Sequence, residues 1–241
     1  MNKLLRYAVD LIFPPRCSVC GEVTLIGTEV CDSCIEELRS QFDSLSLCSR
    51  CGKPADSCVC RNLTSLSGCI SVFEYRRDTV MLFEKLKHDI ESPAAAQLAK
   101  LMAARFYSSN FSDLKFDCIT YVPSNADKVS AKGFDHARRL AEQLSKHINI
   151  PCFAPPIEQN SDYRTQHSLN RLERIENANL GYTASDAKGI VGRVLLVDDI
   201  ITTGATLERC AQLLISCGAS SVFCITAAST LIRPDDDSDN R

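Results

Sequence analysis

Apolar and polar positions along the chain switch between two periods. Cys69 to Tyr75 reads as a strand, and Thr79 to His88 then places Val80, Leu82, Phe83 and Leu86 at helical spacing. Pro93 suits the first residue of a further helix, with Ser92 as its cap and Ala95, Leu98, Leu101 and Met102 turned inward. Phe116 to Val122 predicts a second strand. His136 to Ile148 predicts a helix with Ala137, Leu140, Ala141 and Leu144 on one side. Val194 to Val197 is apolar throughout, the pattern of a strand buried on both faces. A helix pattern over Leu207, Ala211, Leu213 and Leu214 follows, then a fourth strand over Ser221 to Ala227. Residues 149–190, with Pro151, Pro155 and Pro156, read as irregular chain containing a helical pattern from Leu169 to Asn177. Strands alternating with helices predict an α/β fold, a mostly parallel sheet flanked by helices. Ligands of such sheets gather beyond the carboxyl ends of the strands. That rule brings the end of the Val194–Val197 strand and the loop after Val122 to one edge.

The chemistry at that edge is unusual. Asp198 and Asp199 follow the apolar run, and a hydroxyl-rich loop of Thr202, Thr203, Gly204, Ala205 and Thr206 leads into the helix. Backbone N–H groups at a helix start are unpaired, and the helix dipole favours an anion there. Threonine hydroxyls add donors, and Gly204 lets the backbone approach a ligand. Two carboxylates repel a phosphate but suit the hydroxyls of a sugar attached to it. The competing use of the loop is a plain helix cap. The string resembles the signature of type I phosphoribosyltransferases, which bind phosphoribosyl pyrophosphate (PRPP). The resemblance implies that Asp198 and Asp199 hold the ribose hydroxyls while Thr202, Thr203, Gly204, Ala205 and Thr206 hold the 5′-phosphate.

A formal charge of −3 gives no global basic footprint for nucleic acid. No apolar run reaches membrane-spanning length. Met1 to Phe13 reads as a short amphipathic helix, because Asp10 breaks the apolar stretch that a signal peptide needs. A cytoplasmic protein is therefore expected. The tail after residue 233 is acidic and predicts a disordered segment.

The 14 cysteines change the picture most. Cys17 and Cys20 are followed by Gly21, then Cys31 and Cys34; Cys48 and Cys51 are followed by Gly52, then Cys58 and Cys60. The first half repeats, Cys-Ser-Val-Cys-Gly and then Cys-Ser-Arg-Cys-Gly. Two residues between thiols let one turn present both sulfurs to one ion. Four thiolates per ion predict two closed, structural zinc sites. They are assigned here in sequence order; the spacing also admits interleaved pairing, and disulfides or an iron–sulfur cluster are the competing uses of such cysteines. The module is too small to fold on apolar burial alone, so metal supplies folding energy. The remaining cysteines fall in strand and helix patterns and read as small buried hydrophobes.

Paired all-cysteine sites ahead of such a domain resemble the ComF family, associated with competence. Further segments carry the likeness: Phe73-Glu74-Tyr75 with Leu86-Lys87, Tyr121-Val122-Pro123, Lys132-Gly133-Phe134-Asp135-His136-Ala137, and Gln166, Leu169, Arg174 and Asn177. Lys132 stands where the family has arginine and Asp135 where it has asparagine. Lysine keeps the charge but loses the bidentate fork. The resemblance implies a helix and double zinc ribbon over residues 1–66, a phosphoribosyltransferase-like domain over 67–233 and a tail over 234–241. It implies PRPP with magnesium as ligands, pyrophosphate near the loop from Pro123 to Gly133 with Lys128 and Lys132, and Lys87, Arg164 and Arg174 reaching the leaving group or an unknown acceptor. His136 and His167 are candidate acid–base groups. A second expectation is a non-catalytic PRPP sensor or scaffold that binds single-stranded DNA or a DNA-processing partner. Residues 14–62 hold five basic against seven acidic side chains, which favours a protein partner over DNA.

Overall fold

The computed structural model describes residues 13–160, 181–184 and 189–231. Most of the 1–13 helix, Arg164, Gln166, His167, the Leu169–Asn177 pattern, Arg174 and the 234–241 tail lie outside the described residues, as does the side chain of Lys128.

Four strands form one parallel sheet: β1 (Leu66–Glu74), β2 (Cys118–Tyr121), β5 (Gly192–Ile201) and β6 (Ala219–Ser229), in the order β1-β6-β5-β2. The apolar run Val194–Val197 sits at its centre, flanked by Cys118–Tyr121 on one side and Val222–Ile225 on the other. A central strand needs apolar residues on both faces, and all four residues of that run are fully buried. The strand runs on through Asp198, Asp199, Ile200 and Ile201, so the twin acids belong to β5 and not to a loop after it. Residues 149–190 are less irregular than expected. Their described part holds a two-stranded antiparallel ribbon of β3 (Ile157–Gln159) and β4 (Tyr182–Ala184).

Helices cover both faces. Helix α1 is Asp32–Asp43, α2 is Val80–His88, α3 is Ala94–Tyr107, α4 is Ala126–Lys132, α5 is His136–Ile148 and α6 is Ala205–Ser216. One core joins α2, α3 and α5 to the sheet face carrying Ile70, Val72, Leu195, Val197 and Ile225. The other joins α6 to the face carrying Cys69, Val194, Leu196, Val222 and Cys224. Ser92 Oγ accepts from Ala94 N at 3.1 Å, so it serves the first turn of α3 although Pro93 occupies the cap position. Asp135 caps α5, accepting from Ala137 N at 2.9 Å and Arg138 N at 3.2 Å.

The cysteine-rich segment folds as a tandem repeat. Cys17 N donates to Glu22 O at 2.8 Å and Gly21 N to Cys17 O at 2.9 Å; Cys48 N donates to Lys53 O and Gly52 N to Cys48 O at the same distances. Gly52 has φ +68°, and a Cβ there would stand 2.8 Å from the Cys69 carbonyl oxygen. The knuckle thus lies directly on edge strand β1 and covers it. The first repeat joins the α2–α3 side of the core through Val30, Leu38 and Phe42, and the second joins the α6 side through Val59 and Leu63. The first is fastened by Gln97, which accepts from Glu29 N and Val30 N at 2.8 Å and donates to Val30 O at 2.7 Å.

Candidate functional site

A cavity of about 480 Å³ opens at the carboxyl ends of β5 and β2. Its lining includes Asp198, Asp199, Thr202, Gly204, Thr206, Lys87, Lys132, His136 and Tyr75, with Pro123 and Ser124 from the loop after β2. The strand end and the loop after Val122 therefore meet, and Lys87 and Lys132 join them. Thr203 and Ala205 belong to the same bend but are not part of the cavity wall; Thr203 Oγ1 accepts from Ala205 N at 3.4 Å.

Strand parity divides the twin acids. Adjacent strand residues point to opposite faces. Asp199 shares its face with Leu195 and Val197 and meets α2 and the start of α5: Lys87 Nζ is 3.0 Å from its Oδ2 and His136 Nε2 is 3.5 Å away. Asp198 shares its face with Val194 and Leu196, on the α6 side, and its Oδ1 accepts from Asp199 N at 2.9 Å. Burial pushes the Asp199 carboxyl up, but the Lys87 ammonium beside it, helped by His136 when protonated, outweighs burial and holds Asp199 below the ordinary aspartate value. Burial and the adjacent Asp199 charge raise Asp198 well above that value. Burial alone would lower the Lys87 ammonium; Asp199 beside it reverses the sign and raises it. Burial lowers His136, which favours the neutral imidazole.

Three helices begin at this cavity, and two of them carry a side-chain cap: at α4, Asn125 Oδ1 accepts from Asp127 N at 2.8 Å. The carboxylate of Asp135 already occupies the first turn of α5 and also accepts from Ser124 N at 2.8 Å, which ties down the loop after β2. Helix α6 starts at Gly204, φ +78°, with no side-chain cap. Helix starts of this kind favour an anion, and Thr202 and Thr206 stand beside this one in the cavity wall.

Beside the cavity, Lys53 of the second cysteine repeat is 1% exposed. Its Nζ donates to Ile201 O at 3.3 Å, to Thr230 Oγ1 at 3.4 Å and to Thr230 O. Burial draws its pKa down to about 8. The sequence pattern marked neither this contact, the Asp135 cap nor the Lys87–Asp199 pair. An aspartate directly before a helix was the available signal for the cap.

The eight paired cysteines gather in two clusters, Cys17, Cys20, Cys31 and Cys34 in one and Cys48, Cys51, Cys58 and Cys60 in the other, each with its sulfurs within 4.8 Å of one another. A tetrahedral zinc with 2.3 Å bonds needs sulfurs about 3.8 Å apart, whereas a disulfide needs about 2 Å. Cys20 and Cys31 lie 3.8 Å apart, Cys51 and Cys58 3.6 Å, and Cys48 and Cys60 3.4 Å. No cysteine is in a disulfide, and the donor set fits zinc. Of the others, Cys69, Cys118, Cys210 and Cys224 are buried, while Cys152 and Cys217 are half-buried.

Known proteins match the two parts separately and together. The double zinc ribbon domain family matches residues 8–66, and the phosphoribosyl transferase domain family matches residues 129–240. The DNA utilization protein YhgH of Salmonella typhimurium is 28% identical over 222 residues, covering 88% of this chain and 96% of that protein. Competence protein ComFC of Streptococcus pneumoniae is 26% identical, covering 86% and 96%. Competence protein F of Haemophilus influenzae is 25% identical, covering 86% and 93%. No helix among the described residues is long and apolar enough to cross a membrane.

Proposed function

We propose, from the premise that this chain is a ComF-type protein with a double zinc ribbon and a phosphoribosyl transferase domain, that it binds PRPP and transfers its phosphoribosyl group to an acceptor. One observation carries the reading. A single cavity presents two carboxylates, an uncapped helix start and two lysines.

The 5′-phosphate sits on the first-turn N–H groups of α6, with Thr202 and Thr206 as hydroxyl donors. Asp198 and Asp199 orient the ribose hydroxyls from the two faces of β5. Lys132 faces the pyrophosphate, and Lys87 keeps Asp199 ionised. Among the described residues no basic side chain ion-pairs with Asp198, which leaves an oxygen donor for a hard cation. Magnesium, when bound, offsets the charge of the pyrophosphate. The bond from the sugar C1 to the pyrophosphate oxygen breaks as the acceptor's lone pair forms the new bond, and pyrophosphate leaves with the electron pair. The protein's part is positioning and electrostatic support of the positive charge that develops on the sugar ring.

Calorimetry with PRPP and magnesium, on wild type and on Asp198→Asn/Asp199→Asn, tests the site. Tight binding in the first and none in the second is the expected result; equal binding refutes it. Pyrophosphate release across a panel of bases and amines then tests turnover. A second reading, a PRPP-responsive scaffold for a DNA-processing protein, draws on the relatives' names and on Leu25 and Ile26, which are 74% and 52% exposed on the first ribbon. Binding without turnover on any acceptor selects that reading.

A further inference from the structure

The two cysteine repeats share a backbone but not a destination. Glu22 and Lys53 hold the same place in the repeat, each accepting from the first cysteine's N–H through its carbonyl. Glu22 is exposed, whereas Lys53 is buried and ends at the carboxyl edge of the sheet. Its ammonium has three donors and meets three acceptors: Ile201 O and the carbonyl and hydroxyl of Thr230. Ile201 directly precedes Thr202. Thr230 N also donates to Ile201 O, at 3.0 Å, so Lys53 closes the strand exit from which the phosphate loop departs.

Two further contacts come from the same repeat. Leu63 is fully buried, and a Cβ on Gly204 would stand 2.8 Å from its Cδ2; the loop glycine rests on the ribbon. Glu208, in the first turn of α6, accepts from Thr64 Oγ1 at 2.6 Å, Ser65 N at 2.8 Å and Leu66 N at 3.2 Å. The first repeat has no such reach. It docks on α3 through Gln97 and on α2 through Lys85, which lies two residues from Lys87 and therefore on another side of that helix.

We infer that the second zinc ribbon is a working part of the phosphate site: Lys53 is a positioning residue that holds the Thr202–Thr206 loop, and zinc in the second cluster, not the first, sets the order of that loop and its grip on the ligand. The ligand part of this statement rests on the PRPP reading; the coupling itself does not. Lys53 lies between Cys51 and Cys58, and Leu63 lies three residues beyond Cys60. Short segments of this kind hold their shape through the metal. Removing zinc from the second cluster therefore releases Lys53, Leu63 and the Glu208 partners together.

Three variants test this: Cys20→Ser in the first cluster, Cys58→Ser in the second and Lys53→Met, which keeps the volume and removes the donors. Zinc content, hydrogen exchange of the Glu208 and Thr230 amides that anchor the loop at Gly204 O and Ile201 O, without ligand, and PRPP affinity with magnesium are measured on each. Cys20→Ser and Cys58→Ser should each lose one zinc, but only Cys58→Ser should speed loop exchange. Lys53→Met should keep both zincs, speed loop exchange and weaken PRPP by at least about tenfold. It decides the matter if Cys58→Ser fails to fold. Native loop exchange in Lys53→Met, or equal loosening by Cys20→Ser, overturns the coupling. Loosened loops in a protein whose wild type binds no PRPP support the coupling and overturn only the ligand.

Discussion

Lys87 and Asp199 offer the sharpest energetic test of the site. At 3.0 Å and an effective dielectric near 20, the attraction is about 5 kcal/mol before desolvation is counted. Removing one partner of a buried pair costs roughly 3–5 kcal/mol, because the other charge is left uncompensated. The Lys87 side chain keeps 25% exposure, so water moderates the effect and about 3 kcal/mol is expected for Lys87→Met. Asp199→Asn should cost less, since it also removes the negative charge that raises Asp198. The double variant Lys87→Met/Asp199→Asn should lie within about 1 kcal/mol of wild type, because replacing a whole buried pair by neutral groups is often close to neutral. Urea unfolding at pH 7 reads all four corners of the cycle.

The pH dependence has a fixed sign. Asp199 is depressed below its ordinary 3.8, so its contribution is present above that pH and is lost as pH falls through its native value. Lys87 is raised above its ordinary 10.5, so its contribution is present below that pH and is lost as pH rises through its native value. The gap between wild type and Lys87→Met should therefore be widest between those limits and narrow below about pH 4. A double variant as unstable as Lys87→Met, or a gap indifferent to pH, refutes the reasoning.

Three other outcomes follow from the same geometry. Purified protein should carry two zincs per chain, and chelation under denaturant should unfold the ribbon segments first, read by zinc release together with far-UV circular dichroism. Gly204→Ala places a Cβ against Leu63 in a left-handed backbone, at about 1–2 kcal/mol for the conformation and about 1–3 kcal/mol for overpacking; the urea midpoint should fall and PRPP affinity with it. Glu208→Gln should cost about 2 kcal/mol at pH 7. Burial opposes the Glu208 charge, but bonds from Thr64, Ser65 and Leu66 hold it below the ordinary 4.5, so the variant's deficit should shrink as pH falls below that value, read from acid unfolding curves.

Elements with a clean period were legible in the sequence, and contacts between distant segments were not. The helix over His136–Ile148 coincides with α5, because its buried residues repeat along one side and Asp135 marks its start. Helix α1 was hidden in plain view. Its buried positions Cys34, Leu38 and Phe42 are spaced four apart, but Cys34 counted only as a metal ligand and so never entered the apolar pattern. Strand β5 outran its apolar core because it continues through Asp198 and Asp199, which no apolar pattern includes. Lys87–Asp199 joins elements far apart in sequence, and Lys53 reaches a carbonyl 148 positions onward; no local pattern encodes either contact.

The placement of the ribbons explains why two metal-stapled repeats are attached to this sheet. Strand β1 is an edge, and an uncovered edge invites pairing with other chains. The repeats straddle that edge, one entering each core. On the α2–α3 side three helices already cover the sheet, and the first repeat adds to a face that is largely closed. On the other side α6 is the one covering helix among the described residues, and Val59 and Leu63 of the second repeat fill what it leaves open. That helix begins at the Thr202–Thr206 loop, the phosphate site we propose. A helix with a glycine start orders its own first turn weakly: the local side-chain contact there is a long one, Thr203 Oγ1 accepting from Ala205 N at 3.4 Å. The second repeat supplies the missing support from outside the helix, through Lys53 behind the strand exit, Leu63 under Gly204 and the Thr64–Leu66 backbone on Glu208. The helix start thereby lies at the cavity, with Gly204 and Thr206 in its wall, while the backbone carrying it is held. A side-chain cap of the Asp135 kind would order the turn equally well, but it would fill the anion position.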